Sequence, residues 1–495
     1  MAMEIEDKFD VPEDYRLPDL TGLPGCDEIA GPRSHRLVAL YFDTADLRLA
    51  ARGITLRRRR GGPDPGWHLK LPKAKGVRQE ITHPLTPSTK TVPVELADLV
   101  LAHTRGAPLV PVAELDTRRS VTHLRNGAGV RLAEIADDRV KGTVPEGADG
   151  MPYVERWREV EAELVEGDAK LLKKIGKRLR KAGAEPAGSA SKLARLLGAA
   201  REIPGPRLAA TRPGSAGEVV VGYLAGQRDA LLAQDPRVRR NEEDAVHRMR
   251  VACRRLRSAL KSFKGVVGGT RPLRDELKWL GEVLGEARDL EVIRARFSRA
   301  LDALDDDLVT GPVRTRLGSD LLDAEHEALE RIREALRGER YFALLDALDD
   351  LVAAPALTEA AARPAAELTA VAAKSWRRVA RAHDAAEAAE DAAGRRAALH
   401  EVRKAAKRAR YTAEAIGMTA LAERAEAVQE ALGLHQDGVV AAARLAAEAR
   451  TARLAGEDTF TYGVLTGLER ARAERAREEF PALWKKTAKA VADLL

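Results

Sequence analysis

The hydrophobic period of this chain changes once, near Gly217, and the change separates two kinds of fold. Residues 1–200 read as short strands punctuated by Gly and Pro. Alternating or β-rich segments recur at 3–9, 37–43, 54–60, 67–71, 77–85, 118–125, 129–140 and 153–165, with helical stretches near 93–103 and 168–182. Eight antiparallel strands can close into a barrel, which removes edges and encloses a space. Residues 201–216, rich in Pro and Gly, read as a linker. Beyond them the period is 3.6, in long Ala/Leu/Arg/Glu stretches broken at Gly268-Gly269, Gly311-Pro312, Pro355 and Pro364. The expected fold is therefore α+β and multidomain. It comprises an N-terminal eight-stranded antiparallel barrel with flanking helices over 1–200 and an all-α bundle over 217–495.

The helical part repeats itself. His247-Arg248-Met249-Arg250, followed by Arg254, Arg255 and Arg257, matches His400-Glu401-Val402-Arg403, followed by Lys407, Arg408 and Arg410. Leu284-Gly285 with Asp289 matches Leu432-Gly433 with Asp437. Offsets of 153 and 148 residues indicate a duplicated unit, about 217–350 and 365–495, packed with pseudo-twofold symmetry.

Composition sets only outer bounds. A net charge of +7 and a pI near 9.3 invite a polyanion, yet residues 1–200 hold 33 Lys and Arg against 29 Asp and Glu, so an anion site must come from arrangement. Cys26 and Cys253 lie far apart and form no metal-ligand spacing, as in a reduced, cytoplasmic protein. The N-terminus lacks an apolar signal core and no run of 18 apolar residues occurs, so neither standard secretion nor membrane spanning is expected.

The strands carry their charges in an unusual way. Side chains two apart share a face of a strand, so Glu4, Glu6 and Lys8 point one way. Arg57 and Arg59 do the same, as do Glu159, Glu161 and Glu163; Lys70, Glu80, Arg119 and Asp138 lie on further strands. Arg119 and Asp138 are preferred over Arg118 and Asp137 from the flanking apolar pattern. On one strand a solvated face is the simpler explanation. Repeated over several strands with apolar residues between, the pattern fits charges turned into a wet lumen, because unpaired ions in a dry one would be costly. Lys8, Arg57, Arg59, Lys70, Arg119 and Lys192 suit phosphate oxygens, which Arg grips two at a time. Glu4, Glu6, Glu159, Glu161 and Glu163 would repel that anion unless a hard cation, Mg²⁺ or Mn²⁺, lay between.

Glu4-Ile5-Glu6-Asp7-Lys8 resembles the ExExK signature of the CYTH, or triphosphate tunnel metalloenzyme, family. Tyr41-Phe42-Asp43-Thr44, Leu56-Arg57-Arg58-Arg59, Leu69-Lys70, Glu80, Asp138, the Glu159–Glu163 run and Ser191-Lys192 extend the resemblance to about residue 198. It implies an eight-stranded tunnel binding a triphosphate end-on. Phosphate-binding roles fall to Lys8, Arg57, Arg59, Lys70, Arg119 and Lys192, and metal roles to Glu4, Glu6 and members of the Glu159–Glu163 set. Glu80 and Asp138 would be supporting carboxylates. Members of that family hydrolyse tripolyphosphate, thiamine triphosphate or nucleoside triphosphates, and a few are adenylyl cyclases.

In the helical part, His247, Arg250, Arg254 and Arg257 fall within an arc of roughly 80° on one helix, as do His400, Arg403, Lys407 and Arg410 on another. Brought together by pseudo-symmetry they would build one basic groove, to which residues 374–381 could add. The alternative is a surface stripe balanced by acidic neighbours. The arrangement resembles the CHAD domain over about 217–490, and inorganic polyphosphate as ligand comes from that resemblance.

Two functional classes follow. The first is a metal-dependent triphosphatase acting on tripolyphosphate or short polyphosphate, its helical part holding longer chains; an organic triphosphate is the alternative substrate. The second is a polyphosphate-binding, granule-associated cytoplasmic protein without turnover. Nucleic acid is disfavoured, because aromatic residues make up 4% of the chain and do not interleave with the basic stripes. Oligomeric state is left open by the sequence.

Overall fold

The computed structural model describes residues 2–74, 77–147, 149–200, 202, 203, 205 and 207–495, with residues 2–4 described for their backbone alone. It divides into two compact units, Met1–Pro206 and Arg207–Leu495.

In the first unit β1 (Ala2–Val11), β2 (Glu28–Asp43), β3 (Thr55–Arg60), β4 (Gly66–Ala74), β5 (Val77–His83), β6 (Val110–Arg125), β7 (Arg131–Val144) and β8 (Tyr153–Leu164) form one antiparallel sheet. Its order is β5-β4-β3-β2-β6-β7-β8-β1, and pairing of β1 with β5 closes it into a barrel. A two-residue β9 (Glu185–Pro186) joins β1. Among the described residues four α-helices accompany the barrel: α1 (Val94–Leu99), α2 (Leu101–Thr104), α3 (Ala169–Lys181) and α4 (Lys192–Ala200).

Register decides what the barrel encloses. Period-two alternation puts Phe9 and Val11 of β1, Ile135 of β7, and Val160 and Ala162 of β8 on the outside, where they pack with Leu171, Leu172, Ile175 and Leu179 of α3. Leu56, Trp67 and Leu69 likewise face outward against Leu96, Leu99 and Val100 around α1 and α2. The hydrophobic core is thus wrapped around the barrel, and the strand faces carrying the charged residues turn inward. One end of the interior is an exception. Leu115, Val140 and Trp157 share the inward faces of Arg119, Asp138 and Glu159, and they pack against Leu193, Leu196 and Leu197 of α4. A Cβ at Gly142 would lie 2.8 Å from the Leu196 methyl carbons, so the glycine leaves the room that α4 occupies. Helix α4 fills that end.

Two strands are longer than their alternation predicts. β2 starts at Glu28, through Gly31-Pro32 and a run of polar residues that read as a loop; a register shift between Ala30 and Arg33 carries the strand past them. β6 starts at Val110, although Pro111 reads as a strand breaker. Helix α4 follows Gly188-Ser189-Ala190-Ser191 and is too short for its period to stand out.

The second unit is helical: α5 (Ala216–Arg239), α6 (Ala245–Ser262), α7 (Arg271–Asp302), α8 (Leu321–Arg337), α9 (Glu339–Ala353), α10 (Thr369–Glu387), α11 (Ala392–Ala415), α12 (Thr419–Leu454) and α13 (Phe460–Ala492). The duplicated motifs fall on equivalent elements, the His/Arg run on α6 and α11 and the Leu-Gly step on α7 and α12. α6 and α11 meet, and Ser262 Oγ lies 2.8 Å from Thr412 Oγ1 across the contact. Among the described residues no helix is long and apolar enough to cross a membrane.

Candidate active site and polyanion groove

Cross-strand registry stacks the inward charges in rows. Glu6 on β1 faces Glu163 on β8, which faces Glu134 on β7, which faces His123 on β6. One row further in, Lys8 faces Glu161. In the next, Glu159 faces Asp138, which faces Arg119. On the other side Tyr41 faces Arg57, which faces His68, and Lys70 faces Glu80. Most of these side chains line one cavity of about 430 Å³, bounded by Lys8, Arg57, Arg59, Lys70, Arg119 and Lys192 among the cations and by Glu6, Glu80, Glu161 and Glu163 among the carboxylates.

Glu161 is the hub. It accepts from Lys8 and, at 2.6 Å, from Arg119 Nη2, and Lys192 Nζ lies 2.7 Å away. Burial alone would push its carboxyl pKa up, but Lys192, Lys8 and Arg119 together hold it well below the usual carboxylate range. Asp138 is fully buried at the wall, pairing with Arg119 at 2.6 Å and Lys192 at 2.9 Å; those cations overcome burial and hold its pKa low. The same pairings keep Lys8, Arg119 and Lys192 protonated against burial, each raised above its ordinary value.

The opposite wall is poorer in carboxylate. Burial and neighbouring Arg57 lower the Arg59 pKa to about 10, and its guanidinium donates to Asp64 at 2.7 Å. Arg57 donates to Tyr41 Oη at 3.3 Å, while its buried Nε has no partner among the described residues. A buried guanidinium donor left without an acceptor is a reason to expect an anion. Glu80 is held far below its usual range because, against burial, it accepts from His68 Nδ1 at 2.9 Å and lies near Lys70.

The carboxylate set suits a hard cation. Glu6, Glu163 and Glu134 stand directly opposite one another on three adjacent strands, an arrangement of like charges that destabilises a sheet. All are oxygen donors of the kind Mg²⁺ and Mn²⁺ prefer. Among the described residues no three ligating side chains converge into a formed metal cluster, since Glu6 and Glu161 are engaged by Lys8, Arg119 and Lys192. Glu6, Glu161 and Glu163 are the lumen carboxylates that could hold such an ion. Glu4 lies on β1 opposite Arg78, and its side chain is outside the described residues.

In the helical unit α6 and α11 bring the two copies of the basic motif together. Lys407 is held among Arg254, Arg403, Arg250 and Arg410; burial and, in that order, these four charges lower its pKa to about 7. Buried Nε atoms of Arg254 and Arg403 have no partner among the described residues. The Leu-Gly steps have a shared purpose. A Cβ at Gly285 would lie 3.1 Å from the Arg250 guanidinium and one at Gly433 3.6 Å from that of Arg403, so each glycine lets an arginine lie across a helix backbone. The copies differ in their acids: Arg250 donates to exposed Asp289 at 2.8 Å, whereas among the described residues no ion pair joins Arg403 to Asp437. Arg410 is tied to Glu414 and Glu426. Beside this cluster Lys261 lies among Arg408, Arg274, Arg378 and Arg257, the first of which, followed by burial, lowers its pKa. His247 is half-buried, its pKa lowered by burial and Arg288. His400 lies on the exposed surface of α11.

The CYTH domain family matches residues 2–197 and the CHAD domain family residues 222–446. "Uncharacterized protein Rv2226" of Mycobacterium tuberculosis is 43% identical over 506 residues, covering 99% of this chain and 97% of that protein. The chain belongs to the CYTH–CHAD family. Among solved structures it is similar to PptA from Streptomyces chartreusis (26% identity, TM-score 0.47, 55% of this chain and 99% of that one). It is also similar to the CHAD domain of the plant Ricinus communis (24% identity, TM-score 0.45, 57% and 94%).

Of the residues singled out in the CYTH sequence, Lys8, Arg57, Arg59, Lys70, Arg119, Lys192, Glu6, Glu80, Glu161 and Glu163 line the cavity. Asp138 and Glu159 lie behind it, both paired with Lys192. Arg118 is exposed and Asp137 pairs with Arg158, away from Arg119. Sequence reasoning missed Arg78, Glu134 and His123 as lining residues. Arg78 stands two before Glu80, a spacing that could have found it. In the CHAD unit the four predicted cations of α11 and α6 nearest the crossing gather around one point, and Arg378 of α10 joins the neighbouring cluster.

Proposed function

We propose that the CYTH barrel is a metal-dependent triphosphatase acting on inorganic tripolyphosphate and short polyphosphate ends, and that the CHAD unit holds longer polyphosphate chains. The observation that carries this reading is Glu161 bound by three cations inside a charged lumen. Lys8, Arg119 and Lys192 are the groups a phosphate chain would recruit, and recruiting them leaves Glu161 buried and uncompensated unless another cation takes their place. Mg²⁺ or Mn²⁺ on Glu6, Glu161 and Glu163 would supply that charge and polarise the phosphoryl oxygens.

The chain's own residues do the rest. Arg57, Arg59 and Lys70 on one wall and Arg119, Lys8 and Lys192 on the other neutralise equatorial phosphate oxygens and hold the chain in line, which is most of what phosphoryl transfer asks of a protein. With α4 filling one end, the lumen admits a chain terminus. Two basic units on one chain raise the local concentration of substrate ends, and binding of long polyphosphate would associate the protein with polyphosphate granules.

Phosphate release from tripolyphosphate with Mg²⁺ or Mn²⁺ is expected for the full chain. It should be lost in Arg57→Ala and Glu161→Gln, while binding of long-chain polyphosphate survives. Tight polyphosphate binding with no turnover of tripolyphosphate, thiamine triphosphate or ATP would sink the enzyme reading in favour of a binding protein.

A further inference from the structure

Helix α3 contains no acidic residue between Ala169 and Lys181, and seven of its side chains are Lys or Arg. Its apolar residues Leu171, Leu172, Ile175 and Leu179 are all spent on the barrel's outer core. Lys170, Lys173, Lys174, Lys177 and Lys181 are exposed. At 100° per residue these five lie within an arc of about 100°, opposite the buried leucines, and the stripe is about 16 Å long. Among the described residues no carboxylate pairs with any of the five. Arg178, by contrast, is used structurally, donating to the carbonyls of Asp19 and Thr21. Lys181 suits the negative end of the helix dipole, but Lys170 lies in the first turn, where a cation is disfavoured, and Lys173, Lys174 and Lys177 lie beyond the dipole's reach. The helix dipole therefore does not account for the stripe.

We propose that the lysine face of α3 is a docking surface for a segment of a phosphate polyanion, and specifically for inorganic polyphosphate running outside the lumen. The choice of polyphosphate rests on the reading of the lumen given above; the existence of an unneutralised cation stripe does not. Three features select the partner. The apolar face of α3 is buried in the core, so the helix cannot lay it into a lipid surface as an interfacial helix does. No aromatic side chain stands on the exposed face, so nucleic-acid bases have nothing to stack on. The cations are all lysines, hydrated point charges that hold a chain loosely, where the lumen and the α6–α11 cluster mix lysine with arginine forks. A loose contact lets a long chain slide while one terminus is held elsewhere.

The test uses the full chain and its variant Lys173→Gln/Lys174→Gln/Lys177→Gln, all three positions exposed and outside the lumen. Long-chain polyphosphate should bind the variant about tenfold more weakly at moderate salt, and the slope of log K against log salt should fall by about 2, or roughly 0.7 per lost cation. Lysine acetylation followed by mass spectrometry should show Lys173, Lys174 and Lys177 protected in the wild type by long-chain polyphosphate. Phosphate release from tripolyphosphate should be unchanged in the variant. Unchanged affinity and salt slope, or no protection, overturns the proposal even if tripolyphosphate is cleaved. Protection without tripolyphosphate cleavage supports the surface and removes the enzyme reading alone. Equal or stronger protection by single-stranded DNA, or by phosphatidylserine vesicles, overturns the choice of partner.

Discussion

Lys407 gives the groove a pH signature that can be calculated. In the free protein its amine, buried among Arg254, Arg403, Arg250 and Arg410, titrates at about 7. A polyphosphate laid across those five groups reverses the local field and returns the amine toward the ordinary lysine value near 10.5. Between these values the complex holds one proton more than the free protein. Affinity is then full below pH 7 and falls about tenfold for each pH unit above it, so binding at pH 9 should be about a hundredfold weaker than at pH 6. His247, held below 6.5 by burial and Arg288, changes charge below this window. Lys407→Arg keeps the cation and removes the titration, so its binding should be flat from pH 7 to 9. The assay is long-chain polyphosphate binding at fixed ionic strength over that range. Calorimetry in two buffers of different ionisation enthalpy would read the uptake of close to one proton at pH 8. An identical pH slope in wild type and Lys407→Arg would refute the reasoning. So would the absence of proton uptake.

Other consequences of the structure are as accessible. Gly142→Ala places a methyl against Leu196, which should push α4 and Lys192 out of position, lower stability by about 1–3 kcal/mol and weaken tripolyphosphate hydrolysis; thermal melts and phosphate release would record both. In the helical unit buried Arg239 bonds Asp235 at 2.7 Å and the Leu336 carbonyl at 2.8 Å. Arg239→Met removes the guanidinium that pairs with buried Asp235, which Tyr341 Oη also bonds at 2.9 Å, and should cost about 3–5 kcal/mol in denaturant unfolding. Asp138 and Glu161 are held below their ordinary carboxylate values, so their contribution to stability is present above about pH 4 and is lost as acid protonates them. Barrel unfolding followed by Trp fluorescence should show acid lability that diminishes in Glu161→Gln.

Charges repeated at i, i+2 made the lumen legible before any coordinates, because the period of a strand fixes which side chains share a face. The same rule hid the ends of β2 and β6, where proline and runs of charge imitate loops. It also gave no hint of Gly142, whose meaning lies in a helix 50 residues later in the chain. In the helical unit the duplicated His/Arg runs placed one basic face on each of two equivalent helices. What they did not convey is the unequal crowding around Lys407, which depends on four arginines converging from two helices, nor the reason for the paired glycines. Spacing reports the face of an element; it does not report which other element arrives there.

Helix α4, packed on Leu115, Val140 and Trp157, closes one end of the lumen to a ligand. A polyphosphate that enters terminus first must surrender its cleaved phosphate past its own remaining length, or back out before the next cut. On the proposed function such a site would be self-obstructing, because orthophosphate and pyrophosphate would compete with fresh chain ends for the same cations. A lumen filled at one end would, on that reading, trim polymers from the tip and spare their middles.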